Sequence, residues 1–169
     1  MIKVGIDVDE TIIYLKPKWS EWIYEKFNTI PDFSKEILNE NWLFFWKNES
    51  LYDDIKPISE AVDVINWLYN TGQVEIVFIS HCFKEHKLSK INLLKKYFKF
   101  HSFIDTKDKY LCDIDILIDD RDIFFREIKK QNLDIITILH KTEYKSKNIS
   151  DYEMNWYEIK DYFKDNVLK

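Results

Sequence analysis

Four short apolar runs punctuate the chain: Ile2–Ile6, Val74–Ile79, Ile114–Ile118 and Ile135–Leu139. Each is rich in β-branched residues and bounded by polar or helical sequence, the pattern of strands buried on both faces of a parallel sheet. Ser102–Ile104 is a weaker fifth candidate. Between the runs, apolar residues recur at helical spacing. The clearest set is Ile58, Ala61, Val62, Ile65, Leu68 and Tyr69, with Ser59 placed to cap the helix and Gly72 to stop it. Lys84–Phe98 and Arg121–Gln131 read as two further helices. Strands alternating with helices predict an α/β fold, a Rossmann-like parallel sheet flanked by helices.

One stretch breaks the rhythm. From Lys16 to Asp54 there is no strand candidate, only helical and aromatic sequence such as Trp19-Ser20-Glu21-Trp22 and Trp42-Leu43-Phe44-Phe45-Trp46. Residues 16–54 are therefore expected to form a small helical cap over the carboxyl edge of the sheet, and residues 1–15 with 55–169 the core. The chain shows no internal repeat, low-complexity tract or Pro/Gly/Ser linker.

Composition narrows the function by exclusion. The 169 residues fit one domain with a core of its own. A net charge of −5, with acids and bases interleaved, argues against a nucleic-acid polymer as partner. A small anion remains open, because a metal ion and a few lysines reverse the sign locally. Gly5 and Gly72 are the only glycines, which excludes a P-loop and a dinucleotide fingerprint. Cys82 and Cys112 lack metal-ligand spacing, and a reduced, cytoplasmic chain is expected. Met1-Ile2-Lys3 leads straight into a strand-like run, leaving no room for a signal peptide, and no apolar run reaches the roughly 20 residues of a membrane span. A homodimer is left open. Aromatic residues make up 17% of the chain, enough to place some rings in a pocket as well as in the core.

In open α/β sheets, ligands bind beyond the carboxyl ends of the strands, so the residues following each apolar run carry the most information. Asp7-Val8-Asp9-Glu10-Thr11 follows the first run. Ser80 follows the second, with Lys84 a helical turn on. Asp119-Asp120-Arg121 follows the Ile114–Ile118 run, and Lys109 precedes it. Each group alone has an ordinary reading: a solvated turn for Asp7 and Asp9, helix caps for Ser80 and the Asp119-Asp120 pair, surface charges for Lys84 and Lys109. Asp7-Val8-Asp9-Glu10 lacks the glycine and distal glutamate of an EF-hand loop. Gathered at one rim, the groups fit phosphoryl transfer. A carboxylate attacks phosphorus to give an acyl phosphate, paired acids hold Mg²⁺, and an acid two residues from the nucleophile moves the proton. Lysine and hydroxyl groups hold the phosphate oxygens. His81 and Cys82 adjoin Ser80 and line the site, whereas His86, His101 and His140 have no partners at ligand spacing.

At these residues the chain resembles the haloacid dehalogenase superfamily of phosphatases, through DxDxT, a strand-end Ser, a Lys and an acidic pair. Within it, the chain is most similar to the 5'(3')-deoxyribonucleotidases. Asp115-Ile116-Leu117-Ile118-Asp119-Asp120-Arg121 resembles that family's DLLIDDR, and Lys109 stands ten residues before Asp119 as that family's lysine does. Pro57-Ile58-Ser59-Glu60-Ala61-Val62 resembles its PLPGAV, and Lys96-Tyr97-Phe98 its KYF. The resemblance implies a magnesium-dependent phosphatase of deoxynucleoside monophosphates. It makes Asp7 nucleophile and Mg²⁺ ligand, and Asp9 the general acid/base that also binds Mg²⁺ through its backbone carbonyl. Asp120 becomes the third metal carboxylate with Asp119 beside it, while Ser80, Lys84 and Lys109 hold the phosphate. Trp46 and Tyr52 match aromatic positions of the family's base pocket. Glu10 stands where the family usually has glycine, and His81-Cys82 replaces its Ser-Pro. Two other readings are a phosphatase of sugar phosphates or another small phosphomonoester, and a phospho-accepting signalling domain. In the latter the acid pair normally precedes the phosphoacceptor, the reverse of the order here.

Overall fold

Six parallel strands form one sheet in the order β3-β2-β1-β4-β5-β6. They are β1 (Ile2–Ile6), β2 (Val74–Ile79), β3 (Ser102–Ile104), β4 (Ile116–Asp119), β5 (Ile136–His140) and β6 (Tyr152–Met154). The computed structural model describes residues 1–32, 39–142 and 149–169. The chain lays down β1, moves outward through β2 and β3, then returns to the other side of β1 for β4, β5 and β6. That reversal opens a crevice between β1 and β4 at their carboxyl ends, where α/β sheets bind ligands.

Both faces of the sheet are covered, which is why the central strands are almost wholly apolar. On one face, Val4, Ile6, Ile76, Phe78, Ile116, Ile118 and Ile138 pack beneath α2 (Ser59–Asn70), α3 (Lys87–Tyr97) and α5 (Trp156–Asn166). The other face carries Val77, Ile79, Leu117 and Leu139 under the short α4 (Phe125–Lys130). Gly5 lies where this thinner layer presses closest. A β-carbon there would fall 2.7 Å from Ile79 Cδ1 and 2.8 Å from Ile114 Cδ1.

The aromatic stretch after β1 forms α1 (Lys16–Phe27) and a 3₁₀ helix over Glu40–Lys47. Trp19, Ile23, Phe45, Leu51 and Tyr52 of this stretch are buried in the same cluster as the sheet residues. Among the described residues no helix is long and apolar enough to cross a membrane.

The observed boundaries differ from expectation where hydrogen bonding overrides hydropathy. Ile114 is buried but precedes the ladder, and β4 begins at Ile116 and runs through Asp119. Ser59 is the first residue of α2 rather than its cap; Ile58 holds the cap position and the Ser59 hydroxyl donates to Glu60. Gly72 does end that helix region, at φ +66°. Helix α3 starts at Lys87, three residues later than expected. Arg121–Gln131 divides into a 3₁₀ turn, Asp122–Phe124, and α4. Strand β6 and helix α5 were not anticipated. The latter opens with a full capping box, Asn155 accepting from Glu158 N and Glu158 accepting from Asn155 N.

Candidate active site

Strand register brings the acids together. Ile6 pairs with Ile118 across β1 and β4, and Asp7 N donates to the Ile118 carbonyl at 2.9 Å, so Asp7 and Asp119 leave the sheet side by side. Ile6 also pairs with Phe78, which sets Ser80 at the same rim. Asp7, Asp119 and Asp120 are all buried, and each offers a carboxylate oxygen within 4.8 Å of the others. Thr11 braces the group: its hydroxyl lies 3.4 Å from Asp7 Oδ2 and 3.3 Å from Asp120 Oδ1, and accepts from Asp120 N at 3.0 Å.

Lys109, on the 3₁₀ turn before β4, is buried and donates to Asp7 Oδ1 at 2.6 Å and to Asp119 Oδ2. Burial opposes its charge, but Asp119 and Asp7 outweigh burial and raise its pKa. The ring of Phe124 adds a cation–π contact, 4.3 Å from Nζ. Asp119 Oδ1 accepts from Arg121 N at 2.9 Å. Asp120 Oδ2 is buried and, among the described residues, has no hydrogen-bond partner. Burial pushes the Asp119 carboxyl up to about 6 against the pull of Lys109, with Asp7 adding to the rise. Burial, then repulsion from Asp119 and Asp7, raises the Asp120 pKa well above its ordinary 3.8. This is the signature of a site short of positive charge. Oxygen donors suit Mg²⁺, and the orphaned Asp120 oxygen is where a cation would restore balance.

Asp9 faces a second group. Tyr52 Oη donates to Asp9 Oδ1 at 2.8 Å and Lys90 Nζ to Oδ2 at 2.7 Å. Lys90 also donates to Ser80 Oγ at 2.9 Å. Between Asp9 and α1 the chain turns sharply, with Glu10 at φ +63°, in the left-handed region that favours glycine. Glu10 compensates: Leu15 N and Lys16 N, at the start of α1, donate to its Oε1 at 2.8 and 2.7 Å. Its carboxylate thus caps a helix whose own cap residue, Leu15, has no side-chain acceptor.

The structure therefore brings Asp7, Asp9, Ser80, Lys109, Asp119 and Asp120 to one rim. Lys84 is exposed, apart from this hydrogen-bonded cluster, and the lysine that reaches Ser80 is Lys90. Tyr52 is fully buried and offers no free ring face for a base; its hydroxyl is turned to Asp9. Trp46 is half-buried, edge-on to Trp19 at 5.4 Å and to His86 at 6.1 Å. His86, to which the sequence assigned nothing, links these parts. Phe83 N donates to Nε2 at 3.2 Å, so Nδ1 carries the proton and donates to the Trp46 carbonyl at 2.6 Å. Burial lowers its pKa, consistent with a neutral, structural ring. His81 is exposed, 3.7 Å from Asp105, and buried Cys82 has its thiol pushed up to about 11, chiefly by burial. Lys90 was missed although the sequence contained its signal: positions 90, 93, 94 and 97 share one helical face, and 90 is the charged member of an apolar stripe.

No family model and no curated protein matches the chain. Solved structures do. A protein described as a β-phosphoglucomutase from Thermotoga maritima aligns over 99% of this chain and 100% of its own, at TM-score 0.64 and 12% identity. A protein described as a HAD-hydrolase from Bacillus subtilis, bound to magnesium, aligns over 98% and 99%, at 0.60 and 12%. L-2-haloacid dehalogenase from Xanthobacter autotrophicus, with chloropropionic acid covalently bound, aligns over 99% and 100%, at 0.61 and 8%. The fold is the α/β fold that these three proteins share.

Proposed function

We propose that the protein is a magnesium-dependent phosphomonoester hydrolase in which Asp7 is the nucleophile. One observation carries the reading: Asp7 sits against buried Lys109 in a triad of acids whose third member, Asp120, has an oxygen without a partner among the described residues. The four acids of the rim outnumber its two buried ammonium groups by two, the charge of one divalent cation. Asp7, Asp119 and Asp120 would hold Mg²⁺, which when bound offsets negative charge between nucleophile and phosphate.

The chain's own residues do the rest. An Asp7 oxygen bonds to phosphorus as the bond to the leaving oxygen breaks, and Asp9, which must carry a proton at this step, gives it to that oxygen. Water then attacks phosphorus of the aspartyl phosphate, Asp9 takes the water proton, and the bond to Asp7 breaks to release phosphate. Lys109 and the Ser80 hydroxyl steady the phosphate oxygens, with exposed Lys84 available to a substrate group further out. The segment 16–54 acts as the cap that supplies Tyr52 to the acid/base residue.

For substrate, the sequence likeness supports a deoxynucleoside monophosphate, with half-buried Trp46 as the ring open to a base. Tyr52, fully buried, supports the second reading, a sugar phosphate or another small phosphomonoester without a stacked base. Phosphate release with Mg²⁺ across deoxynucleotides, sugar phosphates and p-nitrophenyl phosphate separates them, with chloride release from 2-chloropropionate as the contrasting chemistry. A kcat/KM for deoxynucleotides no better than for the others ends the nucleotidase reading. Chloride release without phosphate release ends both.

A further inference from the structure

Lys90 is the one lysine of the rim that comes from a helix face rather than a strand boundary, and it has no exposed surface. An ammonium in that position is strongly destabilising unless paired. It is paired completely. Its three N–H groups point to Asp9 Oδ2 at 2.7 Å, Ser80 Oγ at 2.9 Å and the His81 carbonyl at 3.4 Å. An ammonium only donates, so the Ser80 hydroxyl accepts from it and must direct its own proton elsewhere. The other Asp9 oxygen is occupied by Tyr52, whose ring also lies 5.1 Å from Lys90 Nζ. The preceding residue, Ser89, accepts from Tyr52 N at 3.0 Å and donates to Asp53 Oδ1 at 2.6 Å. Two adjacent residues of α3 thus hold Asp9, Ser80 and the loop that carries Tyr52.

We propose that Lys90 is a positioning residue: it fixes the Asp9 carboxylate for proton transfer. The proposal rests on the phosphatase reading. Lys90 itself touches no substrate, being sealed beneath the residues it orients. Its loss leaves Asp9 held only by Tyr52, free to rotate away from the attacking water. The cost falls on the step that needs Asp9 as proton acceptor, hydrolysis of the aspartyl phosphate. Formation of that intermediate from p-nitrophenyl phosphate, whose leaving group departs without a proton, is spared.

Rapid-mixing kinetics with p-nitrophenyl phosphate and Mg²⁺ test this on the full chain. Lys90→Met is expected to release one burst of nitrophenol at close to the wild-type rate, then turn over about 10²-fold more slowly, the cost typical of a misplaced reacting group. Lys90→Gln, which keeps a donor toward Asp9, is expected to recover part of the second phase, and decides the matter should Lys90→Met not fold. In an Asp9→Asn background, Lys90→Met is expected to add little, because both changes act on one step. An equal fall in burst and steady-state rates, or effects that multiply independently of Asp9, overturns the role of Lys90. Absence of any nitrophenol release by the wild type instead overturns the phosphatase reading, and this proposal with it.

Discussion

The two halves of the rim are built on opposite terms. The half around Asp7, Asp119 and Asp120 comes from strand ends, is buried, and is short of positive charge, with one carboxylate oxygen unmatched among the described residues. The half around Asp9 joins two strand-end residues, Asp9 and Ser80, to Tyr52 of a turn and Lys90 of α3, and every side-chain polar atom of Asp9 and Lys90 has a partner. A buried polar group left without a partner costs about 1–3 kcal/mol, which folding alone does not repay. The first half therefore reads as a receptor for a cation, the second as a finished piece of scaffolding for one carboxylate. An active site needs both: a deficit where a ligand will bind, and rigidity where a proton must be delivered.

Substitutions can break that contrast. The largest effect is expected for Asp7→Asn, which removes the proposed nucleophile and should abolish phosphate release while leaving the circular-dichroism spectrum unchanged. Asp9→Asn should lower kcat by about 10²–10⁴-fold, the usual worth of general acid–base help, in the same assay. Stability should then separate the halves by sign. Asp9→Asn removes the counter-charge of a buried ammonium and should destabilise the metal-free protein by about 3 kcal/mol, at the low end for a broken buried pair because Asp9 is partly exposed. Asp120→Asn relieves repulsion and should stabilise the metal-free protein by about 1 kcal/mol while removing the stabilisation that Mg²⁺ gives the wild type, about 2.7 kcal/mol at a hundred times Kd. Thermal or urea unfolding with and without Mg²⁺ reads both. Destabilisation by Asp120→Asn in the absence of metal would erase the contrast.

The smallest expected effect is one of pH. His140 is buried against Trp156, with the Met154 backbone, among the described residues, the one polar group that favours its charged form. Burial lowers its pKa from the ordinary 6.5. The unfolded chain therefore binds a proton more readily, and the contribution of this residue to stability is present above pH 6.5 and lost as pH falls below it. His140→Leu should flatten the fall in melting temperature between about pH 7 and about pH 5. An unchanged slope would show that His140 does not contribute.

The same division governs what can be read from the sequence. Strand ends are legible because β-branched runs stop abruptly at polar residues, and parallel register then makes Asp7 and Asp119 neighbours without any knowledge of the helices. Five of the six strands are visible in this way. Strand β6, three residues and largely exposed, has too little apolar sequence to signal itself. Helix α5 carried a visible Asn155–Glu158 capping box that hydropathy alone passes over. The acid/base half was read only in part. Asp9 and Ser80 lie at strand ends, but the identity of the lysine depends on which face α3 turns inward. Exposed Lys84 and buried Lys90 differ by six positions and by everything in environment. Tyr52 was identified as a site residue by resemblance, yet the structure turns its hydroxyl to Asp9 rather than its ring to a ligand. Glu10, a departure from the glycine usual in the resembling family, makes sense only once its positive φ and its capping of α1 are seen together.

Acid-quenching the protein during incubation with p-nitrophenyl phosphate and Mg²⁺, then mapping the bound phosphoryl group by peptide mass spectrometry, tests the central claim most directly. The phosphoryl group is predicted on Asp7, absent from Asp7→Asn and absent when Mg²⁺ is chelated. A phosphoryl group on any other residue, or full turnover by Asp7→Asn, would contradict it.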